Sequence, residues 1–257
     1  MKPIHLHGQP VGGGDHPLIC TPLVGRTREA ILDELAIVLP KGPDLIEWRV
    51  DYFQDIGHIA TVIEIARQIK KAAKAIPLIF TCRSANEGGQ RIPLNDAEIV
   101  KLYVDVCASR CIDIVAYELS NLTRNLEQIR KASRDNDVAM LMSFHNFQYT
   151  PEAAILSAKF RDAEQLGADI AMVAVMPRAH EDVLTLLGAT LRASESSGIP
   201  VIGVSMGAIG SVSRLVGGVY GSAVTFAVGK GYSGPGQVPI EELRAVLGTV
   251  RKAVTSN

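Results

Sequence analysis

Short runs rich in branched apolar residues recur along the chain. Each is followed by a longer stretch in which apolar positions return every three or four residues. The runs are "PLICTPL" (17–23), "DLIEWRV" (44–50), "IPLIFTC" (76–82), "CIDIVAYEL" (111–119), "DVAMLMSFH" (137–145), "DIAMVAVM" (169–176), "IPVIGVSM" (199–206) and "SAVTFAV" (222–228). Their length and β-branched content predict eight buried strands. The stretches between them predict helices. "TREAILDELAIVL" and "IATVIEIARQIKKAAKA" carry the helical period, and "LNDAEIVKLYVDVCAS" opens on an Asn or Asp cap. "TRNLEQIRKASRD" offers Thr123 as a cap. "TPEAAILSAKFRDAEQLG" combines a Thr150 cap, Pro151 at the first helical position and Gly167 as the stop. "AHEDVLTLLGATLRASESSG", "SVSRLVGG" and "PIEELRAVLGTVRKAV" complete the set.

Eight strand–helix units predict an α/β protein, one closed (β/α)8 TIM barrel over residues 1–257, with 1–16 as an N-terminal leader. The alternative is an open doubly wound sheet, which prefers a glycine fingerprint at its first strand–helix turn. "TPLVGRTREA" has a single glycine there, and neither G-x-G-x-x-G nor G-x-x-x-x-G-K-[ST] occurs in the right context.

Composition narrows the field. Of 257 residues 47% are hydrophobic, enough for a large core, and 26 Lys+Arg balance 27 Asp+Glu. That balance argues against a nucleic-acid footprint. No apolar run reaches bilayer length, and "MKPIHLHGQPVGGGDH" lacks the apolar centre of a signal peptide, so no membrane contact and a cytoplasmic location are expected. The four cysteines, Cys20, Cys82, Cys107 and Cys111, are expected as reduced structural thiols. Cys107 and Cys111 are spaced one turn apart on a predicted helix, with no second Cys/His pair to complete a zinc site. His5, His7 and His16 fall in the Gly-rich leader, expected to be solvated or disordered rather than a metal site.

In a barrel the reactive groups gather at the C-terminal ends of the strands. In "IEWRVDYF" Glu47, Arg49 and Asp51 alternate with apolar residues, so one face carries the charges. Inside a barrel such charges must pair or meet a polar ligand. They read as a structural Glu–Arg pair or as a pair aimed at substrate hydroxyls. "TCRSANEGG" puts Arg83 at a strand end and Glu87 in a glycine-bearing loop. Glu118 ends the fourth run, within reach of Arg83 or His145. Of six histidines only His145 ends a strong strand, where an imidazole suits proton transfer. After the seventh run, "SMGAIGSVSRL" could present backbone N–H groups to an anion, and Arg214 adds a fork suited to a carboxylate. "GYSGPGQV" supplies Ser233 and Gln237 on a glycine-rich loop, where phosphate is the usual barrel ligand and a carboxylate fits equally. These ends hold hydroxyl binders, an anion clamp and a proton shuttle, but no nucleophile. The end of the sixth run is the vacancy, and Met172 stands there, sharing a face with Ile170 and Ala174.

Together, "DLIEWRVDYF", "TCRSANEGG", "MSFHNF", "LGADIAMVAVMP", "VSRLVGGVYGSAVTF" and "SGPGQ" resemble the type I 3-dehydroquinate dehydratase family of the shikimate and quinate pathways, over nearly the whole chain. The resemblance implies a TIM barrel, usually a homodimer, with no metal or organic cofactor. It also implies a hydro-lyase that converts 3-dehydroquinate to 3-dehydroshikimate. In that family a lysine forms a Schiff base with the C3 ketone, a histidine shuttles protons and a glutamate supports the histidine. By resemblance His145 and Glu87 are the histidine and glutamate. Glu47, Arg49 and Arg83 hold ring hydroxyls, Arg214, Ser233 and Gln237 hold the carboxylate, and Thr21 faces the ring.

The family's lysine falls on Met172. An amine would turn the ketone into an iminium and acidify the neighbouring C2–H, after which the C1 hydroxyl leaves. Methionine has no nucleophilic nitrogen. The resemblance therefore implies a nearly inactive chain, either through a Lys→Met replacement that keeps the site's shape or as a natural relative that binds a cyclohexane carboxylate without dehydrating it. A Schiff-base aldolase-type barrel and a pure binding protein with no catalytic ancestry are the competing classes.

Overall fold

The computed structural model describes residues 2–14 and 16–256. Met1 and Asp15, both within the expected leader, lie outside the described residues, as does Asn257. The leader is not an unstructured segment. It forms an antiparallel ribbon of β1 (Ile4–Leu6) and β2 (Gln9–Val11), with Ile4 opposite Val11. The turn residues His7 and Gly8 both have positive φ, 50° and 81°, as a tight two-residue hairpin requires. The ribbon has a reason to fold: Val11 is buried, and Ile4 and Leu6 pack with it against the barrel's inner core. His7 Nε2 lies 2.9 Å from Asp113 Oδ1, which also accepts from Lys70 Nζ at 2.8 Å.

All eight apolar runs form strands: β3 (Leu18–Leu23), β4 (Leu45–Arg49), β5 (Leu78–Thr81), β6 (Ile114–Glu118), β7 (Ala139–Asn146), β8 (Ile170–Val175), β9 (Val201–Ser205) and β10 (Val224–Phe226). Every neighbouring pair is parallel, in the order β10-β3-β4-β5-β6-β7-β8-β9. The seam between β9 and β10 is closed just below β10. Ala223 N–H donates to Val201 O at 2.8 Å, and Gly203 N–H donates to Ser222 Oγ at 3.2 Å. The eight runs thus form a nearly closed TIM barrel, with helices alternating between them.

Those helices are α1 (Arg28–Val38), α2 (Ile59–Ala73), α3 (Asp96–Ala108), α4 (Thr123–Asp135), α5 (Ala153–Gln165), α6 (His180–Ser196), the short pair α7 (Gly207–Gly210) and α8 (Val212–Val216), and α9 (Ile240–Thr255). α3 carries a full capping box, with Asn95 accepting from Ala97 and Glu98 N–H and Glu98 accepting from Asn95 N–H. Two expected starts differ. Thr123 lies inside α4 and caps nothing, because Leu122 is the boundary residue. Thr150 and Pro151 lie before α5, which Glu152 flanks; Thr150 Oγ1 instead donates to Met176 O at 3.1 Å, tying two loops at the barrel mouth. Gly167 ends that unit with φ 84°, as expected. Cys111 lies beyond the end of α3, so it does not share a helix with Cys107; all four cysteines are free and buried.

The period-two alternation divides the strands between an inner core and outer ones. One outer core lies between strands and helices and contains Trp48, Phe80, Tyr103 and Tyr117. These rings meet edge to face, with centroids 5.8, 5.5 and 5.1 Å apart along the series. The Tyr103 hydroxyl accepts from Cys82 N–H at 2.9 Å and donates to Ala116 O at 2.7 Å. This ladder fixes the ends of β4, β5 and β6, the strands that carry Arg49, Arg83 and Glu118. The inner core fills the barrel with Leu45, Ile79, Ile114, Leu141, Ile170 and Ile202. Above that layer the interior turns polar.

Candidate active site

At the C-terminal mouth a cleft opens to solvent, lined by Glu47, Arg49, Arg83, Glu87, His145, Met172, Arg214, Ser233 and Gln237. Every expected site residue except Thr21 is therefore in one place. Thr21 pairs in register with Ile46, which belongs to the outer core, whereas Cys20 and Leu45 one step earlier face the interior. Thr21 is buried against the helix layer and cannot reach a ligand from there.

The charged face of β4 does not form the Glu47–Arg49 pair. Arg49 instead forks onto Asp51, with Nε and Nη2 each 2.8 Å from a carboxylate oxygen. Asp51 also accepts from Arg83 N–H at 3.3 Å and Gln90 N–H at 3.1 Å, so one buried carboxylate orders both the arginine and the loop after β5. Glu47, 6% exposed, accepts from Thr81 Oγ1 at 2.7 Å and lines the cleft. Arg83 Nη1 donates to Ser143 Oγ at 2.8 Å and reaches Glu118 Oε1 at 3.2 Å. Glu118 thus serves Arg83 and not His145, and it accepts from Ser84 N–H as well.

His145 and Glu87 form a buried dyad. Glu87 Oε2 lies 2.9 Å from both the backbone nitrogen and Nδ1 of His145, and its Oε1 accepts from Ser120 Oγ at 2.6 Å. An ionised carboxylate only accepts, so Nδ1 carries the proton and Nε2 is left as the basic nitrogen. Burial, with Arg83 and Arg49 adding to it, holds the imidazole pKa well below its ordinary value; burial also raises that of Glu87. The ring is therefore neutral near pH 7 and able to take a proton. Phe147 stacks on it, at 6.5 Å and 20°. Gly88 makes room for that ring. Its φ is 84°, and a Cβ there would lie 2.3 Å from Phe147.

Met172 is 7% exposed. It pairs in register with Ser143 and Ile202, while His145 pairs with Ala174 two residues further along. Met172 therefore lies on the floor of the cleft, three residues and about 10 Å below the strand end at Val175, deeper than the strand-end position expected for it. The Met172 side chain lines the same cleft as His145.

The opposite wall holds an uncompensated cation. Arg214, 4% exposed, donates to two carbonyls, Pro235 O at 2.9 Å and Phe226 O at 3.4 Å, and its Nε has no partner. Burial draws its pKa down to about 10. Ser233 and Gln237 lie beside it in the loop after β10, holding one another at 3.1 Å through Gln237 Nε2 and Ser233 Oγ. An anionic group entering here would meet a guanidinium that has no carboxylate partner among the described residues, and a serine hydroxyl. The N–H of Gly207, which opens α7, already donates to Pro235 O, so the glycine-rich turn does not offer that donor to a phosphate.

Ser143, Phe147 and Ser120 were not among the expected site residues, and Asp51 was expected only as part of the charged face of β4. Ser143 had a signal, since it lies two residues before His145 on the same strand face. Ser120 had none, because its partner is 33 positions away. Among the described residues no group of three or more His, Cys, Asp or Glu could hold a metal, and no helix is long and apolar enough to cross a membrane.

The family model for type I 3-dehydroquinase matches residues 19–253. The 3-dehydroquinate dehydratase of Albidiferax ferrireducens is 55% identical over 253 residues, covering 98% of this chain and 96% of its own. The crystal structure of 3-dehydroquinate dehydratase from Geobacillus kaustophilus superposes with a TM-score of 0.96 at 43% identity, covering 100% of this chain and 98% of that one. That of the type I enzyme from Clostridium difficile, with covalently modified comenic acid, gives 0.94 at 32% identity over 98% and 100%.

Proposed function

The chain belongs to the type I 3-dehydroquinase family, and from that membership we propose that it binds 3-dehydroquinate yet is nearly inactive as a dehydratase, because Met172 occupies the position of the Schiff-base lysine. The observation that carries this reading is Met172 on the floor of a cleft that also holds the His145–Glu87 dyad and the uncompensated Arg214.

Substrate binding and proton transfer each have candidate groups. Arg214, Ser233 and Gln237 receive the ring carboxylate, which relieves the buried charge of Arg214. Glu47, Arg49 and Arg83 bind hydroxyls; the two arginines are already oriented by Asp51 and Glu118, so little ordering is left for the ligand to do. Neutral His145 accepts the C2 proton at Nε2 and returns it to the departing C1 hydroxyl, while Glu87 holds Nδ1–H and stabilises the transient imidazolium. What is lacking is the nucleophilic amine. Without an amine the C3 carbonyl stays a ketone, and the C2–H stays too weakly acidic for an imidazole. The thioether of Met172 fills volume without a charge or a donor.

A single Lys→Met replacement in an otherwise complete site is preferred to a natural binding relative, because the other cleft positions keep side chains suited to the reaction. The same membership supports a homodimer, a cytoplasmic location and service in shikimate synthesis or quinate breakdown. The deciding experiment restores the amine. The Met172→Lys protein should form a borohydride-trapped adduct with 3-dehydroquinate, seen by mass spectrometry. It should gain dehydratase activity by about 10²–10⁴-fold, the size of a lost general base or more. The unaltered chain should show no adduct. A folded Met172→Lys protein with neither adduct nor activity would refute the assignment.

A further inference from the structure

The loop after β10 carries Ser233 and Gln237, and it is fastened from the outside by α1 and the turn that follows it. Glu34, in α1, is 3% exposed although it carries a charge. Its Oε2 accepts from Val24 N–H at 2.7 Å and Gly25 N–H at 2.9 Å, in the loop after β3. Its Oε1 accepts from Gly231 N–H at 3.1 Å, almost two hundred residues away. Nearby, Lys41 Nζ donates to Gly229 O at 2.9 Å. The loop is shaped for this contact. A Cβ on Gly231 would lie 2.8 Å from Glu34 Oε1 and 2.4 Å from Val24 Cγ2.

Two residues on, the chain crosses the cleft, where Arg49 Nη1 donates to Ser233 O at 3.3 Å and Arg214 holds Pro235 O. A buried carboxylate is a costly way to hold a loop unless its lone pairs are used. Here both oxygens are used, and each joins a different strand–helix loop to the same helix.

We propose that Glu34 is the latch that holds the 229–238 loop closed over the cleft, which makes it a positioning residue for Ser233 and Gln237. Glu34 touches no ligand. It fixes the backbone from which the two carboxylate-binding side chains project. The ligand it serves, a hydroxylated ring carboxylate, rests on the function proposed above; the latch itself rests only on the loop geometry.

The test uses both halves. Lys230 is exposed, and its peptide bond to Gly231 is the one that Glu34 pins. Limited trypsinolysis with mass-spectrometric readout should cut that bond about tenfold faster in Glu34→Ala, relative to cutting at the exposed Lys101 in α3, as expected for losing hydrogen bonds to a charged acceptor. Simple destabilisation would raise both sites together. In stopped flow, 3-dehydroquinate should leave Glu34→Ala about tenfold faster, with a smaller change in association. Glu34→Gln, which keeps one acceptor oxygen, should fall between. If Glu34→Ala fails to fold, Gly231→Ala breaks the same contact from the loop side and should show the same selective cleavage. An unchanged cleavage ratio in a folded variant overturns the latch. An unaltered chain that binds no 3-dehydroquinate overturns the functional reading, and the cleavage ratio still decides the latch.

Discussion

Arg214 makes the sharpest quantitative claim. Replacing it with methionine, Arg214→Met, removes the charge and keeps most of the aliphatic volume. In the ligand-free protein the guanidinium pKa is drawn down to about 10 by burial. Measured from the ordinary guanidinium range, at about 1.4 kcal/mol per pKa unit, that is about 3 kcal/mol held against the charged form. Against it stand two hydrogen bonds, to Pro235 O and Phe226 O, each worth about 1.5 kcal/mol when the donor is charged. The terms nearly cancel, so unfolding stability without ligand should change by less than about 1 kcal/mol. With a carboxylate ligand the balance is lost, because breaking a buried charge pair costs about 3–5 kcal/mol. Affinity for 3-dehydroquinate should fall about 10²–10⁴-fold. Isothermal titration gives the affinity and urea unfolding gives the stability. An Arg214→Met protein that binds as tightly as the unaltered chain would refute the anion-wall reasoning. So would one that loses several kcal/mol unliganded while keeping its ligand-induced rise in Tm.

Two further predictions concern the polar interior. His145 is held neutral, with its folded pKa well below the 6.5 expected of the unfolded chain. In the window below pH 6.5 the unfolded state therefore binds more protons, and stability drops as pH falls, by up to about 1.4 kcal/mol per pH unit. His145→Gln should flatten that part of the pH profile in urea titrations from pH 5 to 8; an unchanged slope would show that the imidazole is not held neutral. Asp51→Ala should leave Arg49 buried without its carboxylate and destabilise the fold by about 3–5 kcal/mol, measured by urea unfolding, whereas a loss under 1 kcal/mol would mean that water replaces the pair.

The barrel was legible because its signal is local and repeated. Runs such as "DLIEWRV" and "IPVIGVSM" are too short and too β-branched for helices, and the intervening segments carry the helical period. Most of the cleft was legible too, since a barrel gathers strand ends at one mouth and polar residues ending apolar strands are few. The ribbon of β1 and β2 was missed because its strands are three residues each and its turn is His-Gly rather than the commoner Asn-Gly. The start of α5 was misplaced because Thr-Pro is a good helix opening wherever the chain is free. Here Thr150 is drawn to Met176 O in the neighbouring loop.

What the sequence by itself determined is the alternation of strand and helix, the charged side of β4, and the presence of a histidine, a glutamate and arginines at or after strand ends, with a methionine in the sixth barrel strand. These are matters of residue type and period, and both are written along the chain. Only the tertiary structure decided which partner each charge takes and which way a borderline residue faces. Arg49 chose Asp51 over Glu47, Glu118 chose Arg83 over His145, and Thr21 turned to the helices. It also brought Glu34 to Gly231 across the barrel mouth. The physical reason is that hydrogen bonds act over about 3 Å in space, at separations along the chain that no local pattern records.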